Sequence, residues 1–252
     1  MERGRARGGP EGQADRAPLE TATPAAPAHW SALGCGAVGL VAIFVGAALQ
    51  IGGLRLLGVT TTVARIGPGE LLLAAVLQDV PIALLALVLA RRFLGAGPAE
   101  LGLARPSGAA IRTGVLAGFA IFALTIPLEI AQRAVFGSPE QSIVAAFQRH
   151  RGLEAFALDA LAGVVIAPFA EELLFRGVLF AGLRQRMPLA AAAALSAAAF
   201  VVPHGPSVAL PLFAAGVVLA LVYERTHSIF ANLTAHGAFN LIGLSLAFLS
   251  VR

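Results

Sequence analysis

An all-α fold, a polytopic bundle of about eight transmembrane helices around a polar intramembrane cavity, is the class this sequence predicts, and three observations predict it. Charged residues make up only 13% of the 252-residue chain and hydrophobic residues 58%, whereas soluble domains carry about 25% charge. Mean hydropathy is correspondingly high, at +0.82. The apolar residues fall into about eight runs close to the roughly 17 to 25 residues that a spanning helix needs.

Taken in order, residues 1–29 are rich in Gly, Pro, Ala and charge with no apolar period, and are expected to form a disordered tail. They do not read as a signal peptide, because the apolar run begins only near residue 30 and outlasts an h-region. Apolar segments follow at 31–53, 70–90, 112–131, 153–170, 171–186, 188–203, 207–224 and 229–250. Between the third and fourth, "SPEQSIVAAFQRHR" offers Ser138 as N-cap, Pro139 at the first helical position and Gln141 closing a capping box. An interfacial helix near 138–151 is expected there, with Ile143, Val144 and Phe147 on one face. Three regions result: the tail, an N-terminal transmembrane region at 30–152, and a core at 153–252.

Charge narrows the function classes. Every basic residue is Arg, and the net charge of +4 is ordinary for juxtamembrane Arg on a multi-pass protein. No nucleic-acid role is read from it. The Ala, Gly and Arg load points to a bacterial genome of high GC content, and with it to the bacterial inner membrane. Arg3, Arg5, Arg7 and Arg16, with Arg91, Arg92, Arg105 and Arg112 after the second span, favour a cytoplasmic N-terminus. The lone Cys35 has no internal disulfide partner and reads as a small packed side chain.

The segment 171–186 stands apart. It carries Glu171, Glu172, Arg176, Arg184 and Arg186, so its charged side must face protein rather than lipid. An ionised side chain near the bilayer centre costs roughly 2.5 to 3.5 kcal/mol. Glu172 and Arg176 lie four apart with the acid first, the better order for a helical ion pair, while Glu171 points about 100° round the helix with no local partner. Pro168 reads as a break that places both glutamates in the first turn of a new helix, where the dipole favours carboxylates.

Two further stretches carry polar groups in apolar surroundings. His204 follows Pro203 and precedes Gly205 and Pro206, where a helix must stop or kink, and His236 and Asn240 lie four apart on one face of the last segment. Any one of these could be a packed, hydrogen-bonded residue; together they point to a site. Asp79, Glu129 and Asp159 are isolated in sequence and read as interhelical hydrogen-bonding or snorkelling groups, and His227 as a loop residue. No Gly-x-Ser-x-Gly elbow, His-Glu-x-x-His pair or phosphate loop occurs.

"EELLFR" at 171–176, "FVVPH" at 200–204 and "HGAFN" at 236–240 resemble the Glu-Glu-x-x-x-Arg, Phe-x-x-x-His and His-x-x-x-Asn motifs of the CAAX protease and bacteriocin-processing (CPBP, Abi) family of intramembrane endopeptidases, in that order. The resemblance covers roughly 153–250, and "LGLARPS" at 101–107 is similar to an upstream segment of the family. It implies that Glu171, with His204, activates a water against a peptide carbonyl, that His236 and Asn240 stabilise the oxyanion, that Arg176 holds Glu172, and that Phe200 supports the second motif. A carboxylate in a low-dielectric cavity is a stronger base than one in water. The implied partners are a peptide or protein substrate in the membrane, in some relatives prenylated, and the lipid bilayer. No cofactor is implied; a zinc site on Glu171, His204 and His236 is the alternative left open. A second reading also stays open: a non-enzymatic membrane scaffold or bacteriocin-immunity protein using the same cluster as interhelical glue.

Overall fold

A computed structural model describes residues 30–59, 66–136 and 152–249 of the chain. The tail at 1–29 and the interfacial helix expected near 138–151 lie outside the described residues. Every regular element described is helical: α1 (Ala32–Leu56), α2 (Pro68–Leu94), α3 (Gly108–Phe136), α4 (Leu153–Arg184), α5 (Leu189–His204), α6 (Pro206–Thr226) and α7 (Ile229–Leu249). The all-α, multi-span class expected from the sequence is therefore the fold observed.

The number of spans differs from the expectation. Six helices, all but α5, are long and apolar enough to cross a membrane. The expected segments 153–170 and 171–186 are one continuous helix, α4. The reason lies in how the backbone absorbs Pro168. A proline has no N–H for the carbonyl four residues back, and would normally break the ladder. Here the preceding stretch Leu161–Ile166 is π-helical, with the Ala167 N–H donating to the Ala162 carbonyl five residues back. The helix continues, and Glu171 and Glu172 lie in its interior rather than in a first turn. The helix dipole therefore does not hold these carboxylates. Side chains must do so.

Packing contacts give the helix directions. Cys35 and Gly182 meet across α1 and α4, and Gly46 meets Ile82 across α1 and α2, so both pairs are antiparallel. Gly114 approaches the Ala231 carbonyl and Gly118 the Ala235 carbonyl, so α3 and α7 run parallel. A Cβ at Gly118 would stand 2.7 Å from that carbonyl oxygen, which is why the small-xxx-small spacing is needed for this close crossing. One end of the bundle thus holds the starts of α1, α3, α5 and α7 and the ends of α2, α4 and α6.

That end is tied by backbone bonds and packing. The loop after α2 docks on the start of α7 through Ile229 N–H to the Gly102 carbonyl at 2.9 Å. Trp30, Leu94 and Leu101 are buried in the same apolar cluster as Leu173, Leu174 and Phe175 of α4. At the other end, α5 and α6 form a hairpin whose turn is Gly205, with φ of +81°, a conformation that glycine adopts without a Cβ penalty. Gln132 near the end of α3 clamps this turn: its Nε2 donates to the Pro206 carbonyl at 2.9 Å, and its Oε1 accepts from the Leu210 N–H at 2.7 Å.

Candidate active site

α4 supplies the first polar residues and does so in two directions. Glu172 and Arg176 point into the bundle and are fully buried, 0% exposed each, while the adjacent Glu171 side chain keeps 22% exposure. Arg176 Nη1 donates to Glu172 Oε1 at 2.9 Å, as the four-residue spacing predicts, and Nη2 donates to the Gly216 carbonyl of α6 at 3.2 Å. The guanidinium also lies over the Phe200 ring, 4.7 Å from its centroid.

α7 completes the environment of Glu172. His236 Nδ1 lies 2.8 Å from Glu172 Oε1, and Asn232 Nδ2 donates to Glu172 Oε2 at 3.0 Å and to the Leu219 carbonyl at 2.8 Å. Glu172 thus meets one cation and two ring or amide donors, the full satisfaction a buried carboxylate requires. Asn232 did not figure among the sequence candidates. Its signal was present, since it precedes His236 by one helical turn just as Asn240 follows it.

The two histidines converge on Glu171. His204 Nε2 stands 3.6 Å from Glu171 Oε1, and His236 Nε2 stands 3.7 Å from Glu171 Oε2. Both separations exceed a direct hydrogen bond and match polar groups that share a water. Each ring is pinned through its other nitrogen. His204 Nδ1 lies 2.8 Å from the Phe200 carbonyl, which can only accept, so that nitrogen carries the proton. His236 Nδ1 likewise faces a carboxylate. Both rings, when neutral, therefore present a bare Nε2 to Glu171. Phe200 packs between them, with centroids 4.9 Å from His204 and 5.9 Å from His236.

Asn240 sits on the same face of α7 as His236, but its Nδ2 donates to the Gly163 carbonyl at 2.7 Å, within the π-helical turn of α4. The amide keeps a second N–H. The turn that accommodates Pro168 therefore also anchors the last helix; Gly237 abuts the neighbouring Val164 carbonyl. Six of the seven sequence candidates, Glu171, Glu172, Arg176, Phe200, His204 and His236, are thus brought into one cluster made by α4, α5 and α7, while Asn240 lies one turn beyond His236 and bonds to Gly163.

The remaining polar residues divide differently. Asp79 of α2 is buried, with Gln78 Nε2 at 3.4 Å from its Oδ1, and lies within electrostatic reach of Glu171 and His204. Glu129 pairs with Arg133 on an exposed face of α3. Asp159 is buried in α4. His227 forms the left-handed cap after α6, the loop position expected. Among the described residues, no group of three His, Cys, Asp or Glu side chains is arranged to hold a metal ion.

Residues 153–242 match the family model described as Type II CAAX prenyl endopeptidase Rce1-like. The resemblance carried by the three motifs is borne out by that match, which spans all of them. No curated protein and no solved structure matches the chain.

Proposed function

We propose that this protein is an intramembrane endopeptidase that hydrolyses peptide bonds of membrane-associated substrates, with Glu171 as the base. The observation that carries the proposal is the division of labour between adjacent glutamates. Glu172 is saturated with donors and buried, whereas Glu171 stays partly exposed and, among the described residues, stands 3.6 and 3.7 Å from the Nε2 atoms of His204 and His236, beyond a direct hydrogen bond. A glutamate serving only as interhelical glue would resemble Glu172.

In this reading a water occupies the space between Glu171, His204 and His236. Glu171 takes one proton as the water oxygen bonds to the scissile carbonyl carbon, and the carbonyl π pair becomes the oxyanion. Collapse of the tetrahedral adduct breaks the C–N bond, and the proton passes to the leaving nitrogen, giving a carboxylic acid and an amine. His236 donates to an oxyanion only as an imidazolium, because its Nδ1 proton is committed to Glu172; the buried carboxylate stabilises that cation. Asn240 contributes its second N–H. One oxyanion donor of this kind is worth about 2.7 to 4 kcal/mol. Arg176 and Asn232 act through Glu172 and are positioning residues, as is Phe200 through its carbonyl and ring.

The match to the CAAX prenyl endopeptidase model supports the peptidase class. A prenylated substrate, and residues 153–252 as the catalytic core behind a separate N-terminal transmembrane region, belong to the proposal. The composition supports placement in a bacterial inner membrane. The deciding experiment is cleavage of membrane peptides by purified wild type and Glu171→Gln. Retained cleavage in a folded Glu171→Gln variant removes the peptidase assignment to this site and returns weight to the scaffold or immunity reading.

A further inference from the structure

We propose that Asp79 of α2 is a further catalytic residue of this site, the general acid that protonates the leaving nitrogen as the C–N bond breaks. The role rests on the peptidase reading, with Glu171 as the base that activates water.

Asp79 is the exception on an otherwise apolar face. The buried residues of α2 before its last turns are Ala74, Asp79, Ile82, Ala83 and Ala86. Ile82, Ala83 and Ala86 lie in the same apolar cluster as Leu173, Leu174 and Phe175 of α4. α2 and α4 each run antiparallel to α1, so they run parallel to each other. Going back about two turns from Ala86 to Asp79 therefore leads from Leu173–Phe175 toward Glu171. α2 packs along α4 on both sides of that point, from Leu153 to Phe180. Asp79 accordingly stands within electrostatic reach of Glu171 and of His204.

The carboxyl is not used as interhelical glue. Other polar side chains of this bundle donate across to a neighbouring helix: Gln50 to the Ala74 carbonyl, Ser196 to Phe175, Asn232 to Leu219 and Asn240 to Gly163. Among the described residues, the hydrogen bond to Asp79 comes from its own neighbour, Gln78 Nε2, at a long 3.4 Å. A second carboxylate beside Glu171, with no arginine of its own, would be costly inside the bilayer. A carboxylic acid in the same place has a proton to give.

The two histidines set the direction in which that proton is needed. His236 faces Glu171 Oε2 and His204 faces Oε1. A scissile carbonyl held over Glu171 with its oxygen toward His236 has its nitrogen on the other side of the carbon, toward His204, which is the side that Asp79 reaches. Glu171 takes one proton as the water oxygen bonds to the carbonyl carbon. The oxyanion pair then re-forms the carbonyl, the C–N bonding pair withdraws to nitrogen, and nitrogen takes the Asp79 proton. The proton on Glu171 passes to the Asp79 carboxylate, which restores both groups. The sum is one water added across one C–N bond, with no other reactant.

The test compares the scissile amide with a bond whose leaving group needs no proton. A membrane peptide that wild type cleaves, and the same peptide with a thioester at the scissile position, are offered to wild type, Asp79→Asn and Glu171→Gln. Loss of the acid should lower kcat for the amide about 100-fold or more with little change in KM, while the thioester rate stays within about threefold of wild type, because a thiolate departs unprotonated. A folding defect lowers both rates by one factor, so the amide-to-thioester ratio reads the acid even in a weakened variant. Asp79→Glu, which keeps an acid, should recover part of the amide rate. An Asp79→Asn variant that cleaves the amide at the wild-type rate, or that loses amide and thioester cleavage alike, overturns the role of Asp79 and leaves Glu171 as the base. Cleavage of both substrates by Glu171→Gln, or of neither by folded wild type, removes the peptidase reading itself and the acid with it.

Discussion

Replacing Glu172 by Gln should unfold this protein far more readily than replacing Glu171 by Gln, although the two residues are neighbours and the substitutions identical. Glu172 and Arg176 are each 0% exposed and bonded at 2.9 Å. Neutralising Glu172 leaves the guanidinium as a buried charge whose remaining described partners are the Gly216 carbonyl, the Phe200 ring and, at longer range, the Glu171 carboxylate. Removing one partner of a buried ion pair costs about 3 to 5 kcal/mol. At about 2 to 4 °C per kcal/mol for a chain of this size, the melting temperature should fall by roughly 6 to 20 °C. Glu171 makes no contact shorter than 3.6 Å with either histidine, and its side chain is partly exposed. Its replacement should leave Tm within a few degrees while abolishing cleavage. Thermal unfolding of the two variants beside wild type in the same detergent measures the difference. Equal destabilisation by both substitutions, or a larger loss for Glu171→Gln, would refute the assignment of a structural and a chemical role to the pair.

Other consequences follow from single contacts. Asn232→Ala removes a donor from the buried Glu172 and should cost about 1 to 3 kcal/mol, read as Tm, with Asn232→Asp worse because it sets a second carboxylate beside the first. Gln132→Ala frees both backbone ties of the hairpin that carries His204; kcat for membrane-peptide cleavage should fall about tenfold or more with a smaller change in KM, and an unaltered kcat would mean that the hairpin holds itself. Gly118→Leu would drive a side chain into the Ala235 carbonyl and Ala238 and should cost at least about 1 to 3 kcal/mol, whereas Gly36→Leu, with nothing within 4 Å, should be nearly silent in the same melt.

The helical, membrane-spanning character was legible because composition and run length act locally. The span count was not, because Pro168 carries a local breaking signal that a π-helical turn at Leu161–Ile166 absorbs, and the acceptance of that turn is settled by α7 packing on Gly163 and Val164. The same tertiary context replaced helix-dipole stabilisation of the glutamates by side-chain donors. The site was legible where its residues sit one helical turn apart: Glu172 with Arg176, and His236 with Asn240. Glu171 was recognisable as the unpartnered acid for the same reason. Asn232 obeyed that spacing as well, but a lone Asn in an apolar helix gives no chemical cue until its carboxylate partner, 60 residues away, is known. Gln132 could not have been found at all, since both its bonds are to backbone more than 70 residues on.

The central claim is that Glu171 activates water for peptide hydrolysis. Its most direct test is single-turnover cleavage of plain and prenylated membrane peptides by purified wild type, Glu171→Gln and His236→Ala, each confirmed folded and each run with and without chelator. The account predicts cleavage by wild type that is indifferent to chelator, and a loss of about 1,000-fold or more in Glu171→Gln. Wild-type rates retained by folded Glu171→Gln would contradict it.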